Sequence, residues 1–156
     1  MDKKNIGLLL AVLIGILLFL NEQGLLTGEH PSSDSGRPPS APLSDQGVAA
    51  IAAAYRAQRG DIQVMAEGVV TKVLRDDLDG SRHQRFLLRL ANGQTLLVAH
   101  NIDLAPRIDD LRAGDSVAFY GEYEWNNQGG VIHWTHHDPA GRHVDGWLRH
   151  RGQTYQ

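Results

Sequence analysis

The chain has no cysteine among its 156 residues. Disulfide frameworks, thiolate nucleophiles and cysteine-bound metals are therefore excluded. The absence assigns no compartment, because an exported domain can fold without disulfides. Positive charge is also short. Lys and Arg number 15 against 18 Asp and Glu, a formal net charge of −3 with histidine neutral. A protein that grips a phosphate backbone strongly usually presents a basic face, so strong nucleic-acid binding is not expected. No H-E-x-x-H, glycine-rich phosphate loop or G-x-S-x-G is present, so no such enzyme motif applies. Hydrophobic content of 42% is ordinary for a globular domain.

Histidine is the outlier on the other side. Seven of the eight histidines lie between His83 and His150, and only His30 stands apart. They concentrate around Phe119–Asp138, FYGEYEWNNQGGVIHWTHHD, which also holds two of the three tryptophans. This stretch reads as two strands joined by a turn, ending in a tryptophan–histidine cluster.

The chain divides into three parts. Residues 1–26 open with Lys3 and Lys4 and continue into the uncharged Asn5–Leu20, NIGLLLAVLIGILLFL. That run is slightly short of the roughly 20 residues a membrane helix wants, and Leu25 and Leu26 extend it if Glu22 reaches the interface. The lysines should stay in the cytoplasm. The expectation is a single-pass bacterial inner-membrane anchor with the rest of the chain in the periplasm. A cleaved signal peptide is the rival reading, although no small-x-small site follows Phe19-Leu20-Asn21-Glu22. Residues 27–42, including GEHPSSDSGRPPSAP, have almost nothing to bury and read as a flexible tether. Residues 43–156 form the folded part.

In that part Leu43–Gly60 predicts a helix. Val48, Ile51, Ala52 and Tyr55 share one face, with Ser44 or Asp45 as cap and Gly60 as terminator. From Asp61 the period drops to two. Strands are expected at Val64–Leu74 (with a bulge at Gly68), Gln84–Leu90, Thr95–Asn101, Ser116–Trp125 and Val131–His136. Ala105–Leu111 reads as a loop with a helical turn, and Asp138–Gln156 shows no clear period. Five short strands, all antiparallel or nearly so, with Leu111-Arg112-Ala113-Gly114-Asp115 turning into the fourth, predict a mainly β, OB-like barrel. A small open sandwich is the alternative.

The end of this part carries Ala99–Ile108, AHNIDLAPRI, then NNQGGVIHWTHHDP, Gly141-Arg142-His143 and Gly146-Trp147. From about His83 to Gln156 it resembles a family of small exported bacterial proteins with a domain of unknown function. The string W-T-H-H-D-P, here Trp134–Pro139, marks the resemblance. The resemblance implies a Gram-negative envelope location and supplies no activity.

The residues offer three chemistries. His133 and His137, four apart, would stand about 13 Å apart on one strand and cannot share an ion unless the strand ends early, as Pro139 invites. His136, His137, Asp138 and His143 then form a candidate divalent-metal set, for zinc or a similar ion. Glu122 or Glu124 on the fourth strand lies across from a fifth-strand histidine, so Glu122, His133 and His83 are candidate acid–base groups. Arg85, His100, Asn101, Trp125 and Trp134 are candidate ligand-binding residues. The bland reading competes throughout: buried histidines satisfied by backbone groups are common, and strand tryptophans are more often core than platform. Three functions follow. The first is a membrane-tethered module binding an oligomeric ligand such as a glycan, peptide or single-stranded nucleic acid. The second is a metal-dependent phosphodiesterase or nuclease. The third is an envelope protein docking on a partner through its helix or tail.

Overall fold

The computed structural model describes residues 43–156. The anchor expected at residues 1–26 and the tether expected at residues 27–42 lie outside the described residues. Among those described, no helix is long and apolar enough to cross a membrane.

Helix α1 spans Leu43–Arg56. Asp45 in its first turn and Arg56 in its last both suit the helix dipole. Its buried stripe is Gly47, Val48, Ile51 and Ala54. A Cβ at Gly47 would run into the Met65 carbonyl, so the missing side chain lets the helix lie close on the sheet. The expected terminator, Gly60, is not used. Gln58 takes the left-handed turn at φ 52°, and Arg59 N–H donates to the Ala54 carbonyl at 3.0 Å.

The strands are β1 (Ile62–Val73), β2 (His83–Leu90), β3 (Thr95–Asn101), β4 (Ser116–Glu124), β5 (Val131–His133), β6 (Trp147–His150) and β7 (Gln153–Tyr155). Five close into a barrel in the order β1-β2-β3-β5-β4, with β4 returning to β1. The β3–β5 contact is parallel, pairing Leu97 with Val131 and Val98 with Ile132. This corrects the expectation of antiparallel pairing throughout. Once β4 pairs with β1, closure leaves β5 only the gap beside β3. The bulge in β1 falls between Val70 and Lys72. Gly68 instead sits where β1 faces both neighbours, opposite Leu90 and Val117. A Cβ there would stand 2.7 Å from the Arg89 carbonyl oxygen.

The tail forms a hairpin the sequence did not announce, because strands this short show no alternation. β6 pairs with Val117–Tyr120 of β4, and Arg151 and Gly152 make the turn to β7 with positive φ. The barrel interior is closed by Phe86, Leu88, Val98, Phe119, Tyr123, Ile132 and Leu148, all fully buried. Each contributes roughly 1.5–3 kcal/mol by leaving water.

Two polar side chains share that interior. Gln84 and His100 face each other across β2 and β3, both without solvent exposure. Gln84 donates through Nε2 to the Ile108 carbonyl (2.8 Å) and accepts the Ile108 N–H at Oε1 (2.9 Å). His100 donates through Nε2 to the Pro106 carbonyl (3.1 Å). Its Nδ1 is then bare and accepts the Thr135 hydroxyl (2.8 Å). The pair thus fastens both the β3–β4 connection and the segment after β5.

Burial drives the His100 pKa down to about 4, against the upward pull of the Pro106 carbonyl. The folded chain therefore refuses a proton that the unfolded chain takes up near pH 6.5. Stability should be full above pH 6.5 and should fall as pH drops through 6.5 towards 4, by about 3 kcal/mol from this group. Urea unfolding across pH 7 to 4 measures the slope. It should be shallower in His100→Gln than in the parent.

Candidate functional site

The site grows from the β4–β5 hairpin. Asn126 Oδ1 accepts the N–H groups of Gln128 (2.8 Å) and Gly130 (3.0 Å). Gly129 and Gly130 follow with φ of 118° and 106°, which favours glycine. That turn sets the register in which Glu122 stands opposite His133 and Glu124 opposite Val131. Glu122 and Glu124 lie on the outer face of the barrel, while Gly121 and Tyr123 point inward.

Glu122 joins two imidazoles. Its Oε1 accepts from His133 Nε2 at 3.0 Å, and its Oε2 accepts from His143 Nε2 at 2.5 Å. The Glu122 side chain is only 12% exposed, so these bonds are poorly screened. His143 also donates through Nδ1 to the Val144 carbonyl at 2.9 Å. Both of its partners only accept, so the ring carries two protons. Burial alone would lower its pKa, but the Val144 carbonyl and the Glu122 carboxylate outweigh burial and raise it. The resulting imidazolium lies flat on Trp134, with ring centroids 4.1 Å apart and planes 5° off parallel. A cation over an indole face is favourable.

The segment after β5 departs from the expected strand. Trp134 adopts φ 51° and ends β5 at His133. The break keeps Trp134 with His133 on the outside and turns Thr135 inward to His100. Asp138 then holds a tight loop, accepting the N–H groups of Ala140, Arg142 and His143. These bonds hold its carboxyl below the usual range. Asp145 does the same with the Asp138 N–H and His137 Nδ1. Gly146 closes the loop by donating to the His136 carbonyl at 2.9 Å, where a Cβ would run into the Trp134 carbonyl.

The predicted residues separate accordingly. Each member of the candidate metal set has its own partner: His136 Nδ1 the His137 carbonyl, His137 Asp145, Asp138 three backbone N–H groups, and His143 Glu122. The donors that do converge among the described residues are Glu122, Glu124 and His133, whose ligand atoms lie within 4.8 Å of one another. The candidate pair Glu122–His133 is therefore in contact. His83 donates through Nδ1 to the Ser81 carbonyl at 2.8 Å. Arg85 is held by the Arg75 carbonyl and Asp77. Asn101 accepts the Asp103 N–H. His100 lies inside the barrel, away from its outer face. Trp125 packs against the core, with its indole N–H buried and without a partner among the described residues.

His83, Ala99 and His133 are common to two adjoining depressions on the outer face of β2, β3 and β5. One, about 280 Å³, extends over Asn101, Leu104, Trp134 and His136. The other, about 360 Å³, extends over Arg85, Leu97, Val131 and Glu124. Together they make a groove with an apolar floor and polar walls. Larger clefts of about 440 and 530 Å³ follow the seam between α1 and the barrel. They contain no histidine, whereas the groove gathers His83, His133 and His136 beside Trp134, so the histidine groove is the better candidate site. Thr135, Gln84 and Asp145 were not singled out from sequence, since an isolated polar residue carries no periodic signal.

The fold and site together define a small closed β-barrel with a ring-lined groove on its outer face. The chain belongs to the family described as "Protein of unknown function (DUF3465)", which matches residues 40–156. None of the curated proteins matches it.

Thr135 is the hinge between this groove and the interior. Thr135→Val should leave His100 Nδ1 buried without a donor and cost about 1–3 kcal/mol, whereas Thr135→Ser should stay close to the parent. Urea midpoints of the two variants decide it.

Proposed function

We propose that the protein is a ligand-binding module whose groove over β2, β3 and β5 takes an elongated, largely uncharged chain of the glycan or peptide class. The strand order β1-β2-β3-β5-β4 with closure onto β1 is that of an OB-like barrel, in which the β2–β3 face and the neighbouring loops take oligomeric ligands. The observation that carries the reading is the groove itself. Leu97, Ala99 and Val131 form an apolar strip, and His83, Asn101, His133 and His136 supply directional polar groups beside Trp134. An apolar surface with a few convergent polar groups is the usual composition of a binding site. His83 and His136 each donate one ring nitrogen to a backbone carbonyl. The other nitrogen remains as an acceptor of fixed orientation. Leu104 at the groove margin is 44% exposed, an apolar contact for a ligand. Arg85 is offset by Asp77, and the net charge is negative, so nucleic acid is disfavoured.

Residues 1–26 and 27–42 complete this reading as an inner-membrane anchor and a tether, with the barrel in the periplasm. The anchor is proposed on its uncharged run and the lysines before it. A tethered groove of this kind samples the envelope without needing tight affinity, because the tether raises its effective concentration.

Titration of the full chain in detergent with envelope glycan fragments and short unstructured peptides tests the proposal. A ligand of one class should shift the amide resonances of Ala99, Asn101 and His133 and change tryptophan emission. Trp134→Ala and Asn101→Ala should each weaken binding about tenfold or more, near 1.4 kcal/mol, with the barrel still folded. Binding of neither class, or binding that ignores both substitutions, would contradict it.

A further inference from the structure

The contact between Glu122 and His133 has the spacing of a metal site. Glu122 and Glu124 stand two apart on the outer face of β4, and His133 faces Glu122 from β5. Strand geometry thus puts three hard or borderline donors at the corners of one triangle. Their ligand atoms fall within 4.8 Å of one another. Donors around a tetrahedral zinc ion at about 2.0–2.1 Å stand roughly 3.4 Å apart. His133 Nε2 and Glu122 Oε1 are already 3.0 Å apart, so an ion fits between them with a small spreading of the two side chains. Glu124 needs a modest side-chain adjustment to close the third side.

The surroundings orient the donors as an outer shell does. His143 donates to Glu122 Oε2 and leaves Oε1 to face His133. The Asp61 N–H donates to Glu124 Oε1 at 3.1 Å, and Oε2, packed beside Gly60, has no hydrogen bond among the described residues. Gln63 stands directly across β1 from Glu122. Its amide Nε2 is buried with no partner among the described residues. Such orphaned donors are rare and ask for an explanation. An anionic or carbonyl oxygen held on an ion beside Glu122 would be an acceptor for it.

We infer that Glu122, Glu124 and His133 form a binding site for a divalent transition ion of the zinc or manganese class, positioned by His143 and opening onto the groove. The donor set of two carboxylates and one imidazole suits these ions. Three protein ligands leave a coordination position for another oxygen. Glu124 and His133 line the groove, so that position accepts an anionic or carbonyl oxygen of whatever occupies it. The ion takes the place of the proton that His133 Nε2 shares with Glu122 Oε1. The site stands apart from the groove's own ligand, because the ion alone is the probe.

The full chain, purified without a polyhistidine tag and stripped with chelator, is titrated with zinc and with manganese by calorimetry. One saturable ion per chain is expected. Glu124→Gln keeps the acceptor for Asp61 and removes the charge, and it should weaken binding at least about tenfold. His143→Gln, a change in a positioning residue, should weaken it by about 10–100-fold. His137→Gln should bind as the parent does, since His137 is exposed and outside the triangle. Circular dichroism confirms that each variant is folded, and Glu124→Gln decides the matter if His143→Gln is not. No saturable binding, equal binding by the parent and Glu124→Gln, or loss on His137→Gln alone would overturn the assignment.

Discussion

Two polar side chains in an apolar barrel govern this molecule. Gln84 and His100 sit where water does not reach, and an unpaired polar group there costs several kilocalories. Among the described residues their partners are the backbone of Pro106 and Ile108 and the hydroxyl of Thr135. Satisfying the pair therefore fixes two irregular segments in one arrangement. One is the β3–β4 connection. The other is the segment leaving β5, which carries Trp134, His136 and the Asp138 loop. Hydrophobic burial supplies the bulk of stability, but it is not directional and would not specify where these segments lie.

The outer face uses the opposite economy of charge. Glu122 is largely buried and acts as a hub, with one oxygen for His133 and one for His143. His143 is held as a cation between that carboxylate and the Trp134 ring. Thr135 is buried on the inner side while Trp134 faces out, and the left-handed Trp134 makes this possible. A residue other than glycine in that conformation is strained by about 1–3 kcal/mol. Here the inward hydroxyl bond and the outward ring stack hold it. Strain, fixed tautomers and a bridging carboxylate meet within one turn of chain, beside the groove.

Much of the fold was legible. Alternation located all five barrel strands, because a half-buried strand writes its faces into every second residue. Thr95–Asn101 was placed with both ends as found, and β4 to within one residue of its end. Turn chemistry exposed the β4–β5 hairpin and so the Glu122–histidine contact. What alternation could not show was its own interruption. Trp134 reads as a core residue if β5 runs on to His136, and only its φ reverses that. The candidate metal ligands His136, His137, Asp138 and His143 are drawn from proximity in sequence. Each has another partner in the fold: Asp138 gives its carboxylate to backbone N–H groups, His136 faces the His137 carbonyl, and His137 and His143 pair with Asp145 and Glu122. The parallel β3–β5 contact and the β6–β7 hairpin depend on closure and on short strands, neither of which leaves a periodic trace.

The buried Gln84–His100 pair holds both irregular segments at once. Amide hydrogen exchange in His100→Leu against the parent tests it directly. Protection should be lost at Ile108 and Gly146 together, with the amides of β1 and β2 unchanged. Protection lost in only one of the two segments, or in neither, would contradict it.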